Sequence, residues 1–127
     1  MDKNLQTLEL DKVLALLAEQ TTCDDAKEAA LALRPAADPG EIALLLDQTE
    51  DAFSMLARFG APPFGGLHNV NGPLQRAAAG GCLNMTELLQ VGDTLRALRI
   101  LDDWHGHLAG TSSSLNFFFD GITVNKY

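Results

Sequence analysis

The amino-acid sequence predicts an all-α fold, a compact helical domain of about five helices. Apolar residues recur at three- and four-residue intervals along several segments, the spacing that lines one face of a helix. Two of those segments open on residues that cap a helix, Asp38-Pro39-Gly40-Glu41 and Asn84-Met85-Thr86-Glu87. Nowhere do apolar and polar residues alternate between hairpin signals, as a sheet would require.

The first stripe is Leu10, Val13, Leu14 and Leu17, and Leu5 and Leu8 either extend it or form a separate turn. Thr22 reads as the N-cap of a second helix, with Asp24 and Asp25 where the helix dipole favours anions. That helix runs through Ala26, Ala29, Ala30 and Leu33 and must stop before Pro35, which disfavours a helical Arg34. Asp38 then caps a long helix with Pro39 in its first position, a stripe of Ile42, Leu45, Leu46, Thr49, Ala52, Phe53, Leu56 and Phe59, and Gly60 as a left-handed stop. Ordering it costs about 1.5 kcal/mol per residue, more than its stripe returns, so it has to pack on neighbours. Pro62, Pro63, Gly65 and Gly66 fix an irregular loop that presents Phe64 as an anchor against the long helices.

A short helix follows over residues 70–79, with Pro73 in its first turn, and Gly80-Gly81 ends it. Asn84 and Glu87 open the longest helix, over residues 84–108, which carries Leu88, Val91, Leu95, Leu98, Leu101 and Trp104. The Gly/Thr/Ser run 110–114 reads as a flexible linker, followed by the apolar segment Leu115 to Phe119 and Ile122. The expected organisation is therefore a helical core domain over 1–109, then 110–127 as linker plus the apolar start of a next segment.

The 127 residues are enough for one domain and one core. Hydrophobic residues make up 46% and charged residues 20%, a globular composition. The net charge of −8 argues against a free-standing nucleic-acid binder, because the chain repels a polyanion. Residues 1–60 hold 12 acids and 5 bases, and residues 61–127 hold 5 acids and 4 bases, so any anion-facing surface falls in the second half. Cys23 and Cys82 fit a reduced cytoplasm better than a disulfide scaffold. No run of 18 apolar residues and no signal-peptide core occurs, so no membrane partner is expected.

Few constellations suggest chemistry. His105-Gly106-His107 beside Asp102 and Asp103 reads as a helix end, because a helical i, i+2 pair does not face one way and a metal needs more ligands. Ser112, His107 and Asp103 lack a nucleophile elbow, and neither glycine pair fits a phosphate-binding loop. No catalytic, cofactor or metal residue is assigned. Arg96 and Arg99, at i, i+3, with Arg76 are the candidate nucleic-acid contacts, pairing with acids such as Asp93 being the plainer alternative. Leu115, Phe117, Phe118, Phe119 and Ile122 are the candidate interface, the competing role being core. The terminal aromatics either fold back on the chain's own helices or pack on a second copy through the linker hinge.

Several motifs in order resemble one family. Leu8-Glu9-Leu10-Asp11-Lys12-Val13-Leu14 resembles the opening "LE-F-DKIL" signature of the second bacterial MutS paralogue. Leu46 to Ala52 is similar to its "L-x-x-T-x-E-A" helix, and Pro62 to Leu67 to its "PP-F/L-GG-I" loop. Gly80-Gly81-Cys82-Leu83 with Glu87-Leu88-Leu89 resembles "GG-x-L-x-x-x-ELL", and Asp93-Thr94-Leu95-Arg96 with Arg99 resembles "DTLR-x-x-R". The chain departs from the family at Asn69-Val70-Asn71, where members have "DIR".

The resemblance implies an N-terminal fragment, the core/lever-type start of a much longer cytoplasmic protein. The parent would carry a clamp, a dimerising ATPase domain using ATP and Mg²⁺, and often a nuclease domain. It would suppress recombination on branched DNA or rescue collided ribosomes. This region would be non-catalytic and would hold no cofactor. Its partners would be the rest of the parent chain and, through other domains, DNA or the ribosome. It would transmit the state of a parent homodimer's ATPase domains to the clamp. Two readings of other classes stand beside this one: a stand-alone helical protein-interaction domain, and a small enzyme with a pocket lined by Arg76, Arg96 and Arg99.

Overall fold

The computed structural model describes residues 3–108 and 110–124. Ala109, where the expected boundary falls, and Asn125, Lys126 and Tyr127 lie outside the described residues. Within them the chain is all-α, with seven helices: α1 (Lys3–Thr7), α2 (Leu10–Glu19), α3 (Asp24–Ala32), α4 (Pro39–Phe59), α5 (Asn71–Ala78), α6 (Met85–Gly106) and α7 (Asn116–Asp120). The two beyond the expected five are short. The separate turn at Leu5 is α1, split from α2 where Glu9 takes a left-handed φ of 56°. The aromatic run is α7.

The chain divides into two compact units, Met1–Pro35 with Leu67–Val91, and Ala36–Gly66 with Gly92–Tyr127. In the first, α1 and α3 pack on α2, and the buried side chains are Leu14, Ala18 and Ala30. The small Ala18 and Ala30 suit close helix packing. Thr21 Oγ1 donates to the Ala18 carbonyl at 2.7 Å and closes α2. The expected cap at Thr22 is corrected: α3 begins at Asp24, Cys23 is its N-cap residue in extended conformation, and no side chain caps it. The turn uses Thr21 and Thr22 to leave α2, so the α3 dipole is met by Asp24 and Asp25 of its own first turn. Asn69 donates from Nδ2 to Asp25 Oδ1 at 2.6 Å, while its Oδ1 accepts from the Asn71 N–H at 3.1 Å.

Both N-cap side chains accept the bond expected of them. The Glu41 N–H donates to Asp38 Oδ2 at 2.9 Å. Asn84 and Glu87 exchange two bonds: the Glu87 N–H to Asn84 Oδ1 at 2.9 Å, and the Asn84 N–H to Glu87 Oε2 at 3.0 Å. A third residue joins this pair, because Arg76 on α5 pairs with Glu87 Oε1. Those bonds hold the Glu87 carboxyl below the usual carboxylate range, the Arg76 hydrogen bond foremost, then the Asn84 N–H.

In the second unit, Met55 of α4, Ala97 and Leu101 of α6, and Leu108 are buried. Gly60 stops α4 at φ 79°. Phe64 is anchored less completely than its loop suggests, being 39% exposed. Phe64→Ala is therefore expected to cost about 1–2 kcal/mol in a denaturation titration, below the about 3 kcal/mol of a fully buried Phe.

Candidate functional site

The most developed site lies in the second unit, where α7 is fixed by a carboxylate beside an apolar cavity. Asp51, on α4, points its Oδ2 at the chain entering α7. It accepts from the Ser114 N–H at 2.6 Å, from Ser114 Oγ at 2.6 Å and from Ser113 Oγ at 3.3 Å. Ser113 Oγ in turn accepts from the Leu115 N–H at 3.1 Å. The run expected to be a flexible linker is thus tied down at its C-terminal end. Its Ser-rich composition supplies hydroxyl donors to a carboxylate contributed by a distant segment. These bonds hold the Asp51 carboxyl below its ordinary value of 3.8, the Ser114 hydroxyl foremost, then the Ser114 N–H, against an opposing effect of burial.

Ring contacts seat the other face of α7. Phe119 stacks on His105 with centroids 4.4 Å apart and planes 3° apart, and lies 6.0 Å from Trp104. Asn116 bridges the turn, with Nδ2 donating to the Thr111 carbonyl at 3.2 Å and Oδ1 lying 3.3 Å from His105 Nε2. His105 therefore serves as a packing surface at the end of α6.

Beneath α7 is a cavity of about 350 Å³ walled by Met55, Leu56, Phe64, Leu101, Leu115, Phe118, Phe119 and Ile122. Four of the five candidate interface residues meet there. The fifth, Phe117, is 80% exposed and meets the edge of Phe118. The cavity's lining is almost wholly apolar, so it suits an aliphatic or aromatic group and offers no charge with which to do chemistry.

The candidate nucleic-acid residues fall in different units of the chain. Arg76 belongs to the first unit and is engaged by Glu87. Arg96 and Arg99 belong to the second, and Arg96 pairs with Asp93 at 2.9 Å. Among the described residues no three His, Cys, Asp or Glu side chains group as a metal site, and no helix is long and apolar enough to cross a membrane. The Asp51 tie is what sequence reasoning missed. Asp51 stands 63 residues from Ser114, and the only local signal was three consecutive serines before an apolar run.

The tie makes a pH prediction. A carboxyl whose pKa is lowered on folding adds stability above its ordinary value and loses it as pH falls through the folded value. The packing of α7 is therefore expected to loosen in acid, below about pH 3.8. The sequence's one tryptophan, Trp104, reports it through the Phe119 contact. Asp51→Asn is expected to shift the near-UV signal of Trp104 at neutral pH toward its acid value. An identical signal in both proteins at all pH values would show that Asp51 does not hold α7.

No family model matches the chain. It is similar to proteins named Endonuclease MutS2. The one from Acetivibrio thermocellus is 37% identical over 103 residues, which covers 81% of this chain and 13% of that protein. The one from Agathobacter rectalis is 39% identical over 97 residues, 76% of this chain and 12% of the relative. The one from Geobacillus thermodenitrificans is 39% identical over 114 residues, 84% of this chain and 14% of the relative. The chain thus spans about an eighth of the length of the curated relatives it matches.

Proposed function

We propose that this chain, which belongs to the MutS2 family through the residues matched, is the N-terminal, non-catalytic helical core segment of a MutS-like ATPase. In this reading it transmits the state of dimerised ATPase domains to a clamp that holds branched DNA or a collided ribosome. ATP, Mg²⁺ and any nuclease chemistry belong to other domains of a cytoplasmic parent, and no residue of this chain is assigned to them. Suppression of recombination and rescue of ribosomes are the two activities the parent would serve.

The observation that carries the reading is the balance of apolar surface. Among the described residues, seven apolar residues are buried while twenty-two large apolar side chains are exposed. A domain evolved to work alone does not leave that much apolar surface in water, whereas a segment that works packed on the rest of its protein does. The relatives' length supplies that remainder.

The test uses the intact parent. Asp51→Ala releases α7 without touching a catalytic group, so basal ATP hydrolysis is expected to stay within about twofold. Stimulation by branched DNA or by ribosomes is expected to fall about fivefold or more, the scale of coupling between distant sites. Unchanged stimulation would remove the transmission role.

A further inference from the structure

The cavity beneath α7 is kept open by the way α7 is held. Before its first residue, Ser113 and Ser114 are bonded to Asp51 of α4. Near its last residue, Phe119 is stacked on His105 of α6. The helix is only five residues long, and its two anchors lie on different helices. It therefore bridges α4 and α6 and cannot settle onto either without breaking an anchor. About 350 Å³ stays unfilled beneath the bridge.

The lining grades from closed to open. Met55 and Leu101 are buried and form the floor, whereas Leu56, Phe64 and Phe118 are exposed and mark the mouth. Phe118, at 58% exposure, is the most open of the three. The chemistry of this lining selects the occupant. Water held in a cavity needs about two to four polar partners, and the walls offer almost none. A charged group would lose its hydration and gain no ion pair. Size narrows the choice further. An apolar cavity of about 150 Å³ takes one benzene ring. The space here is more than twice as large, so a single inserted side chain would leave over half of it empty. The rings of Phe64, Phe118 and Phe119 stand in the wall, and aromatic rings pack well on a flat aromatic partner, offset or edge to face.

We propose that the cavity beneath α7 is a binding site for a flat, uncharged molecule of about two fused aromatic rings, entering past Leu56, Phe64 and Phe118. The anchors of α7 hold the site ready, so little ordering is needed on binding. This inference does not depend on the core-segment reading above.

The experiment titrates the full-length gene product with phenylnaphthylamine, an uncharged probe whose emission rises in apolar surroundings, and repeats the titration on Ala52→Phe. Ala52 lines the cavity, and a phenyl group there takes the space of one ring. The expected result is saturable binding that is weakened about tenfold or more in Ala52→Phe, with the far-UV CD unchanged. A second measurement needs no variant. The native protein is irradiated with iodonaphthyl azide, with and without excess naphthalene, and digested. Label is expected on segments 52–64 and 101–122, and naphthalene is expected to reduce it. Equal binding in the native and Ala52→Phe proteins, or label confined to other segments, would overturn the proposal. Displacement of the probe by decane in preference to naphthalene would overturn the assignment of a flat ligand. Binding by the 127-residue chain but not by the full-length product would also overturn it. That last outcome would mean that the rest of the parent fills the cavity, and it would leave the core-segment reading standing.

Discussion

Replacing Leu101 by alanine is expected to lower the unfolding free energy by about 3 kcal/mol, within the range measured for buried leucines. Leu101 sits on α6 at 6% exposure, one of the few apolar side chains buried in the second unit. It also walls the cavity beneath α7. Removing its isopropyl group merges new empty volume with space already there, so the neighbours gain little by collapsing inward. The cost is a large share of a small domain's total stability. Leu95 on the same helix is the control. It is an exposed leucine, so Leu95→Ala is expected to cost less than about 1 kcal/mol. Urea titrations check both, the midpoint moving in Leu101→Ala with little change in slope. Equal midpoints in the two variants would mean that Leu101 is not a core residue.

The elements set by local chemistry were legible. Asp38 and Asn84 cap α4 and α6 because a short side chain and a glutamate three residues on can satisfy the first free N–H groups whatever packs around them. Gly60 stops α4 for the same kind of local reason. The failures lie where distant segments meet. Ser113 and Ser114 have linker composition, and only the arrival of Asp51 turns their hydroxyls into an anchor. The Asn-Phe-Phe-Phe-Asp segment is a poor helix former, and α7 exists through its contacts to Trp104 and His105. Thr22 does not cap α3 because α2 ends at Glu19, Thr21 bonds back to Ala18, and the chain runs on through Thr22 and Cys23 before α3 begins at Asp24. For the candidate site, the membership of Leu115, Phe118, Phe119 and Ile122 could be read from hydrophobicity. The cavity they share with Met55 and Leu101 could not, because it depends on how three helices pack.

Gly81→Val is expected to destabilise the chain by about 2–3 kcal/mol, the cost of forcing a strained backbone arrangement at a tight turn. Helix α5 ends in a Schellman motif: the Gly80 N–H donates to the Ala77 carbonyl at 3.0 Å, and the Gly81 N–H to the Arg76 carbonyl at 2.8 Å. Gly80 holds the left-handed position at φ 87°. Gly81 has a separate constraint, because a Cβ there would stand 2.9 Å from the Arg76 carbonyl oxygen, a backbone atom that cannot swing aside. Relieving that clash breaks the bond from the Gly81 N–H and shifts Arg76, whose guanidinium pairs with Glu87. Glu87 also closes the α6 cap with Asn84, so the end of one helix and the start of the next are coupled through a single carboxylate. The coupling is measurable. In a double-mutant cycle of Gly81→Val with Glu87→Gln, the second change is expected to cost less in the valine background than in the native one. Strict additivity would show that Gly81 acts only on its own turn.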